Sequence, residues 1–185
     1  LSNDPRSGLK GGLKHAEEAI LNLELVKHLD KPVGFYDPNN PALRGSDSAK
    51  DPEEKENISL EERSVKLRSP MFSFSNTDMA FSENLLVAGS YHGFNMYELD
   101  NDGVPNLVTS VVCPGGQGDV SIVDDLLIMS VEQTRGRLDC GREGVGTEPS
   151  MERFRGIRIF DISDISNPVQ VGAVQTCRGS HTHSV

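Results

Sequence analysis

No run of about 18 consecutive apolar residues occurs in these 185 residues, so no helix of the chain is expected to span a bilayer. Basic charge is also scarce. Lys and Arg number 18 against 28 Asp and Glu, a formal net charge of −10. Binding a phosphate backbone needs a basic surface, so nucleic acid is not an expected partner. No charged n-region, apolar core or small-residue cleavage site follows Leu1, so the sequence reads as one whose signal peptide is removed or was never there. The G-x-S-x-G, H-E-x-x-H, paired C-x-x-C and EF-hand patterns are missing as well. Residues 113–119, CPGGQGD, are glycine-rich, but they join two strand patterns and lack the Lys-Ser/Thr of a phosphate loop. Residues 141–146 read as a loop by the same test. A fraction of 36% hydrophobic and 25% charged residues belongs to a soluble globular protein.

What is present is a repeated strand pattern. In residues 156–174, GIRIFDISDISNPVQVGAV, the apolar Ile157, Ile159, Phe160 and Ile162 lead into a polar run ending at Pro168, and Val169, Val171 and Val174 resume a β-branched pattern. Asp, Ser and Asn side chains hydrogen-bond their own backbone in such turns, and Pro168 fixes φ ahead of the second strand. The stretch therefore reads as an antiparallel hairpin.

The same unit stands earlier in the chain. Gly93 to Leu99 matches Gly156 to Ile162 at an offset of 63 residues, and the turn 100–105 leads into 106–112 as 163–168 leads into 169–176. Cys113-Pro114-Gly115-Gly116 matches Cys177-Arg178-Gly179-Ser180 at an offset of 64. Upstream, Leu85 matches Leu126 at an offset of only 41, so the second copy carries an insertion of 22 residues within 132–155. The expected strands are 77–81, 85–90, 94–99 and 106–112, then 119–123, 126–131, 156–162 and 169–176. A bare repeat of about 40 residues with four strands is the size of a propeller blade. A third unit starts at His183-Ser184-Val185, so the sequence reads as a fragment of a longer, multi-bladed protein.

LLVAGSYHGFNMYELDNDGVPNLV and LLIMSVEQ…GIRIFDISDISNPVQVGAV resemble the LVIVD repeat, a leucine/valine-rich strand followed by a D-I-S-D-P-x-x-P turn. The resemblance covers residues 72–185, and the first copy departs from the D-I-S pattern at 98–103. It implies an all-β, partial β-propeller, with two four-stranded blades and the start of a third. It also implies an exported, periplasmic or cell-surface protein, and no particular reaction.

Three segments follow from these patterns. Residues 1–36 carry Leu9, Leu13, Ala16 and Ile20 at helical spacing, which predicts a short amphipathic helix. Beyond it the helix continues to Leu29 or gives way to a strand over 22–29. The alternation favours the strand, which can be laid over 106–112 as the outermost, blade-closing strand of a ring. Residues 37–69 are rich in Pro, Asn and charge and read as a linker or surface loop, with one capped helical turn at Ser59-Leu60-Glu61-Glu62. Residues 70–185 hold the blades, with Phe72 and Phe74 expected in the core. Arg135, Arg137, Arg142, Arg153, Arg155 and Arg158 alternate with Asp139, Glu143, Glu148 and Glu152, the pattern of a solvated mixed-charge loop.

Chemical candidates are few. His181 and His183 lie two apart in the connection that follows the second hairpin, so on an extended chain both imidazoles face one side and can serve Zn, Cu or Fe, or a hydrogen-bonding structural role. Gln117 and Asp119 hold the matching positions of the first copy at the offset of 64, and are the companions considered for a transition metal. Ser180 beside His181 points to the opposite face, which is wrong for a nucleophile and its base. Cys140 in the insertion and Cys177 after the hairpin are expected to form a disulfide in an oxidising compartment; the rival reading is that Cys113 and Cys177 are small buried residues at matching blade positions. The function expected is a non-catalytic binding or scaffolding module for a protein or small-molecule ligand. The alternative is a propeller enzyme or metal-dependent oxidoreductase using His181 and His183.

Overall fold

The computed structural model describes residues 4–12, 15–32, 35, 76–141, 144–146 and 148–185. The chain divides into two units, Leu1–Asp30 and Lys31–Val185. Among the described residues of both there is no helix, and the regular structure is all β.

In the first unit the expected amphipathic helix does not form. Asp4 and Ser7 close a turn (Ser7 N–H to Asp4 O, 2.8 Å), and Glu17 bonds back to Lys10 through both backbone and side chain at 2.9 Å. Gly11 and Gly12 each cost about 1 kcal/mol of helix propensity. A 12-residue helix also needs a face to pack on, whereas Ile20 is 49% exposed. The blade-closing strand over 22–29 is not formed either. Asn22 has a positive φ of 59°, Leu23 and Leu25 are exposed, and a strand has no ladder without a partner. Leu13, the linker 37–69 with its turn at 59–62, Phe72 and Phe74 lie outside the described residues.

The second unit contains two four-stranded antiparallel meanders. The first consists of β1 (Asn76–Ser82), β2 (Leu85–Ser90), β3 (Gly93–Leu99) and β4 (Pro105–Val112), hydrogen-bonded in that order. The second consists of β5 (Val120–Val123), β6 (Leu126–Val131), β7 (Gly156–Asp161) and β8 (Val169–Gln175), again in sequence order. No strand forms at 183–185.

The copies share specific backbone bonds and irregularities. The Leu99 N–H donates to Asn84 O at 2.7 Å, and the Ile162 N–H donates to Asp125 O at 2.8 Å. Glu83 and Asp124, each before such an acceptor, share a φ of 51°. Register shifts fall between Met96 and Tyr97 and between Ile159 and Phe160. Gly93 and Gly156 have φ of 133° and 148°, and a Cβ on either would lie 2.0 Å from the carbonyl oxygen of Val111 or Val174. Only glycine fits there, because the outer strand crosses the start of the third strand too closely for a side chain.

The two sheets pack face to face in a head-to-tail sense. Val87, Phe94 and Met96 of the first and Val120, Leu127, Met129 and Phe160 of the second form one buried cluster, with the Phe94 and Phe160 rings edge-to-face at 5.0 Å. Because side chains alternate along a strand, the other face of the second sheet carries Leu126, Ile128, Ile157, Ile159 and Val174. By repeat register these are the counterparts of Leu85, Val87, Phe94, Met96 and Val111, which pack inward in the first sheet. In the second sheet Leu126 and Val174 are 38% and 54% exposed, while Ile128, Ile157 and Ile159 are partly buried.

Candidate functional site

The site lies where the chain leaves β8 and passes the end of β6. Ser180 donates its N–H to Val131 O at 3.0 Å, and Gly179, at a φ of 88°, passes so close that a Cβ would lie 2.8 Å from the same oxygen. The connection then places His183 beside Asp119. The Asp119 carboxylate Oδ2 accepts the His183 backbone N–H at 2.9 Å and lies 2.9 Å from the ring Nδ1. Ser130 Oγ, on β6, also stands 2.9 Å from Nδ1 and 2.9 Å from Ser180 Oγ, which donates to Thr182 O at 3.1 Å.

Donor and acceptor roles follow from this chain of contacts. An ionised carboxylate only accepts, so the imidazole proton sits on Nδ1 and is shared between Asp119 and Ser130. Ser130 then donates to Ser180. The other ring nitrogen, Nε2, is buried and has no hydrogen-bond partner. His181 pairs its own Nδ1 with Glu132 Oε2. A Ser-His-Asp triad requires the hydroxyl and the carboxylate on opposite ring nitrogens. Here both meet Nδ1 and Ser130 is buried, so the trio is not set up for nucleophilic attack.

The expected companions of the histidines fare differently. Gln117 is not brought to the imidazoles in any hydrogen bond of its side chain; its backbone carbonyl accepts from Thr77 Oγ1. Asp119 does meet His183, but as the counterpart of Asp78 at an offset of 41, not as a counterpart of His183. Asp78 Oδ2 accepts the Val120 N–H at 3.0 Å, as Asp119 Oδ2 accepts that of His183. The true register of the connections is thus 63, which pairs His183 with Val120 and His181 with Gly118. Among the described residues no group of three or more His, Cys, Asp or Glu side chains gathers as a metal site.

The expected Cys140–Cys177 disulfide is replaced by Cys113–Cys140, with Cα atoms 4.4 Å apart, while Cys177 is a free, exposed thiol. The one-residue slip explains the change. The Cys113 N–H donates to His92 O as the Thr176 N–H donates to Arg155 O, so Thr176, not Cys177, stands where Cys113 does. In an extended chain a slip of one turns the side chain to the other face. Cys113 is buried in the core cluster, and Cys140 packs against it.

The insertion 132–155 is not a solvated mixed-charge loop throughout. Arg158, fully buried, donates Nη1 to the carbonyls of Cys113 and Pro114 at 3.3 Å, donates Nη2 to that of Arg137, and lies over the Phe154 ring at 5.5 Å. Burial pushes its pKa down to about 10, partly opposed by Asp139. Arg153 serves the carbonyls of Thr134, Gly146 and Glu148 at 2.7 Å. Arg137 is paired with Asp139 at 2.7 Å and Glu152 at 2.6 Å, and its hydrogen bond holds the Asp139 carboxyl below the usual carboxylate range. Arg142 and Glu143 lie outside the described residues.

Ser130, Glu132 and Arg158 were not legible as partners in this arrangement. One signal pointed to Ser130: in the repeat it replaces Gly89, where a Cβ would lie 1.9 Å from Gly118 O. Neither family models, nor curated proteins, nor solved structures give a match to this chain.

Proposed function

We propose that the chain is part of a β-propeller of the LVIVD-repeat kind, a non-catalytic binding or scaffolding module of an exported or cell-surface protein. The observation that carries this reading is the head-to-tail register of the two meanders. The face that the first sheet closes against the second recurs on the second as Leu126, Ile128, Ile157, Ile159 and Val174, with its edge residues Leu126 and Val174 exposed and the three isoleucines only partly buried. A heterologous interface repeats until it closes on itself. A further unit with the counterparts of Leu127, Met129 and Phe160 fits that face, and rings of four-stranded meanders are propellers.

Two observations support the rest. The Cys113–Cys140 bridge suits an oxidising compartment. Asp119 and Ser130 converge on one nitrogen of His183, an arrangement that holds a side chain in place and does not activate a hydroxyl. The rival reading, a propeller enzyme or metal-dependent oxidoreductase, draws on the unpartnered Nε2 of His183, which calls for a ligand and not for a reaction.

The test is Ile159→Thr in the protein as isolated, a change that keeps β-branching and adds a hydroxyl. Covered by a further blade, it costs about 2 kcal/mol in urea denaturation. A cost within about 0.5 kcal/mol, that of a surface site, overturns the propeller reading. Recovery of the protein from the cytosol with free Cys113 and Cys140 thiols overturns export.

A further inference from the structure

Beyond the binding module, we propose that the connection carrying His181 and His183 binds one divalent transition-metal ion through the Nε2 atoms of both imidazoles. Each histidine turns Nδ1 to a carboxylate, His183 to Asp119 at 2.9 Å and His181 to Glu132. That is how metal-ligating histidines are held, since a carboxylate on one nitrogen selects the tautomer and makes the other a better ligand. Their contacts, Ser130 and Glu132, also lie two residues apart at the end of β6.

Two further observations point to a ligand. The His183 side chain is only 10% exposed, and its Nε2 has no partner. A buried ring nitrogen left without a partner destabilises the fold until something pairs with it. The repeat also shows that the fold does not need these groups. In the first copy the same clasp is made by Asp78 and the Val120 N–H, with Gly118 and Gly89 where the second copy has His181 and Ser130. The scaffold closes there without an imidazole.

Imidazole nitrogen selects Zn2+, Ni2+ or Cu2+ over the oxygen-seeking Mg2+ and Ca2+. Among the described residues no third His, Cys, Asp or Glu joins the pair.

The experiment is calorimetric titration of the EDTA-treated protein with Zn2+, with Cu2+ and its nitrogen hyperfine spectrum as the second probe. One ion per chain is expected, with two imidazole nitrogens on Cu2+. His183→Val reproduces the first copy, so it keeps the fold and abolishes binding. His181→Ala, at a side chain 59% exposed, weakens binding at least 10-fold without loss of stability. Asp119→Asn weakens it about 10- to 100-fold. Absence of stoichiometric binding, or binding that survives both His181→Ala and His183→Val, overturns the site. Neither result bears on the propeller, which the Ile159→Thr measurement reads without metal.

Discussion

Asp119 and His183 meet twice: one carboxylate oxygen accepts the backbone N–H and stands against the ring Nδ1, both at 2.9 Å. The first of these bonds is architectural. Asp78 makes it to Val120 in the preceding copy at 3.0 Å, so an aspartate near the start of each innermost strand holds the stretch leading into the next unit.

Removing either aspartate leaves a backbone N–H without its acceptor. Asp78→Ala and Asp119→Ala are each expected to cost about 1–3 kcal/mol in urea denaturation. Equal losses are expected from the backbone term, with Asp119→Ala larger by whatever the His183 ring loses.

Gly93 and Gly156 are expected to be the least replaceable glycines. Alanine at either adds backbone strain at positive φ and an overlap with a carbonyl oxygen 2.0 Å away, a loss on the order of 3 kcal/mol or more. Gly103→Ala, where φ is 75° but nothing lies within 4 Å, isolates the strain and should cost only about 1 kcal/mol. Similar melting temperatures for all three variants would contradict the close crossing.

The Cys113–Cys140 bridge closes a loop at a sequence separation of 27. In the chain-entropy account, Cys113→Ala with Cys140→Ala is expected to lower stability by roughly 3.5 kcal/mol. Mass spectrometry of unreduced peptides should recover the Cys113 and Cys140 peptides linked and Cys177 alkylated.

Arg158→Lys tests the guanidinium fork. A planar fork reaches the carbonyls of Cys113, Pro114 and Arg137 together, and an ammonium does not, so a loss of about 2 kcal/mol or more is expected. Protease cutting within 132–155 should rise with it.

Lys31 sets a pH dependence. Burial pushes its pKa down to about 8 from an ordinary 10.5. Below about 8 both folded and unfolded chains hold the proton, and the folded state bears the cost of a half-buried ammonium. Between about 8 and 10.5 the unfolded chain still binds the proton that the folded one has released, so stability rises with pH across that window. Lys31→Met should flatten that rise, as read by urea midpoints from pH 7 to 10.

Much of the sheet was legible because its signals are local. The alternation in 94–99 and the Asp-Ser-Asn turn before Pro168 each depend on residues a few positions apart, and the observed β3 and β8 match the expected spans to within one residue. The 63-residue repeat was legible for the same reason, as a comparison of one local pattern with another. The 64-residue match of Cys113 with Cys177 was misleading, because one residue of register is invisible in composition and decisive in an extended chain. The N-terminal helix failed because Leu9, Ala16 and Ile20 have helical spacing but Gly11 and Gly12 weaken it and Ile20 finds no face to pack on.

By itself, then, the order of residues determined two copies of a four-stranded meander, their turns and the glycines at their tight crossings, because period-two hydrophobicity and turn chemistry act over a few neighbouring residues. Only the tertiary structure decided that Cys113 and not Cys177 bonds Cys140, that the Arg158 charge lies inside, and that His183 offers a buried, unpartnered nitrogen between Asp119 and Ser130. Those outcomes depend on distances between residues 21 to 64 positions apart, which packing of the two sheets sets and no local pattern carries.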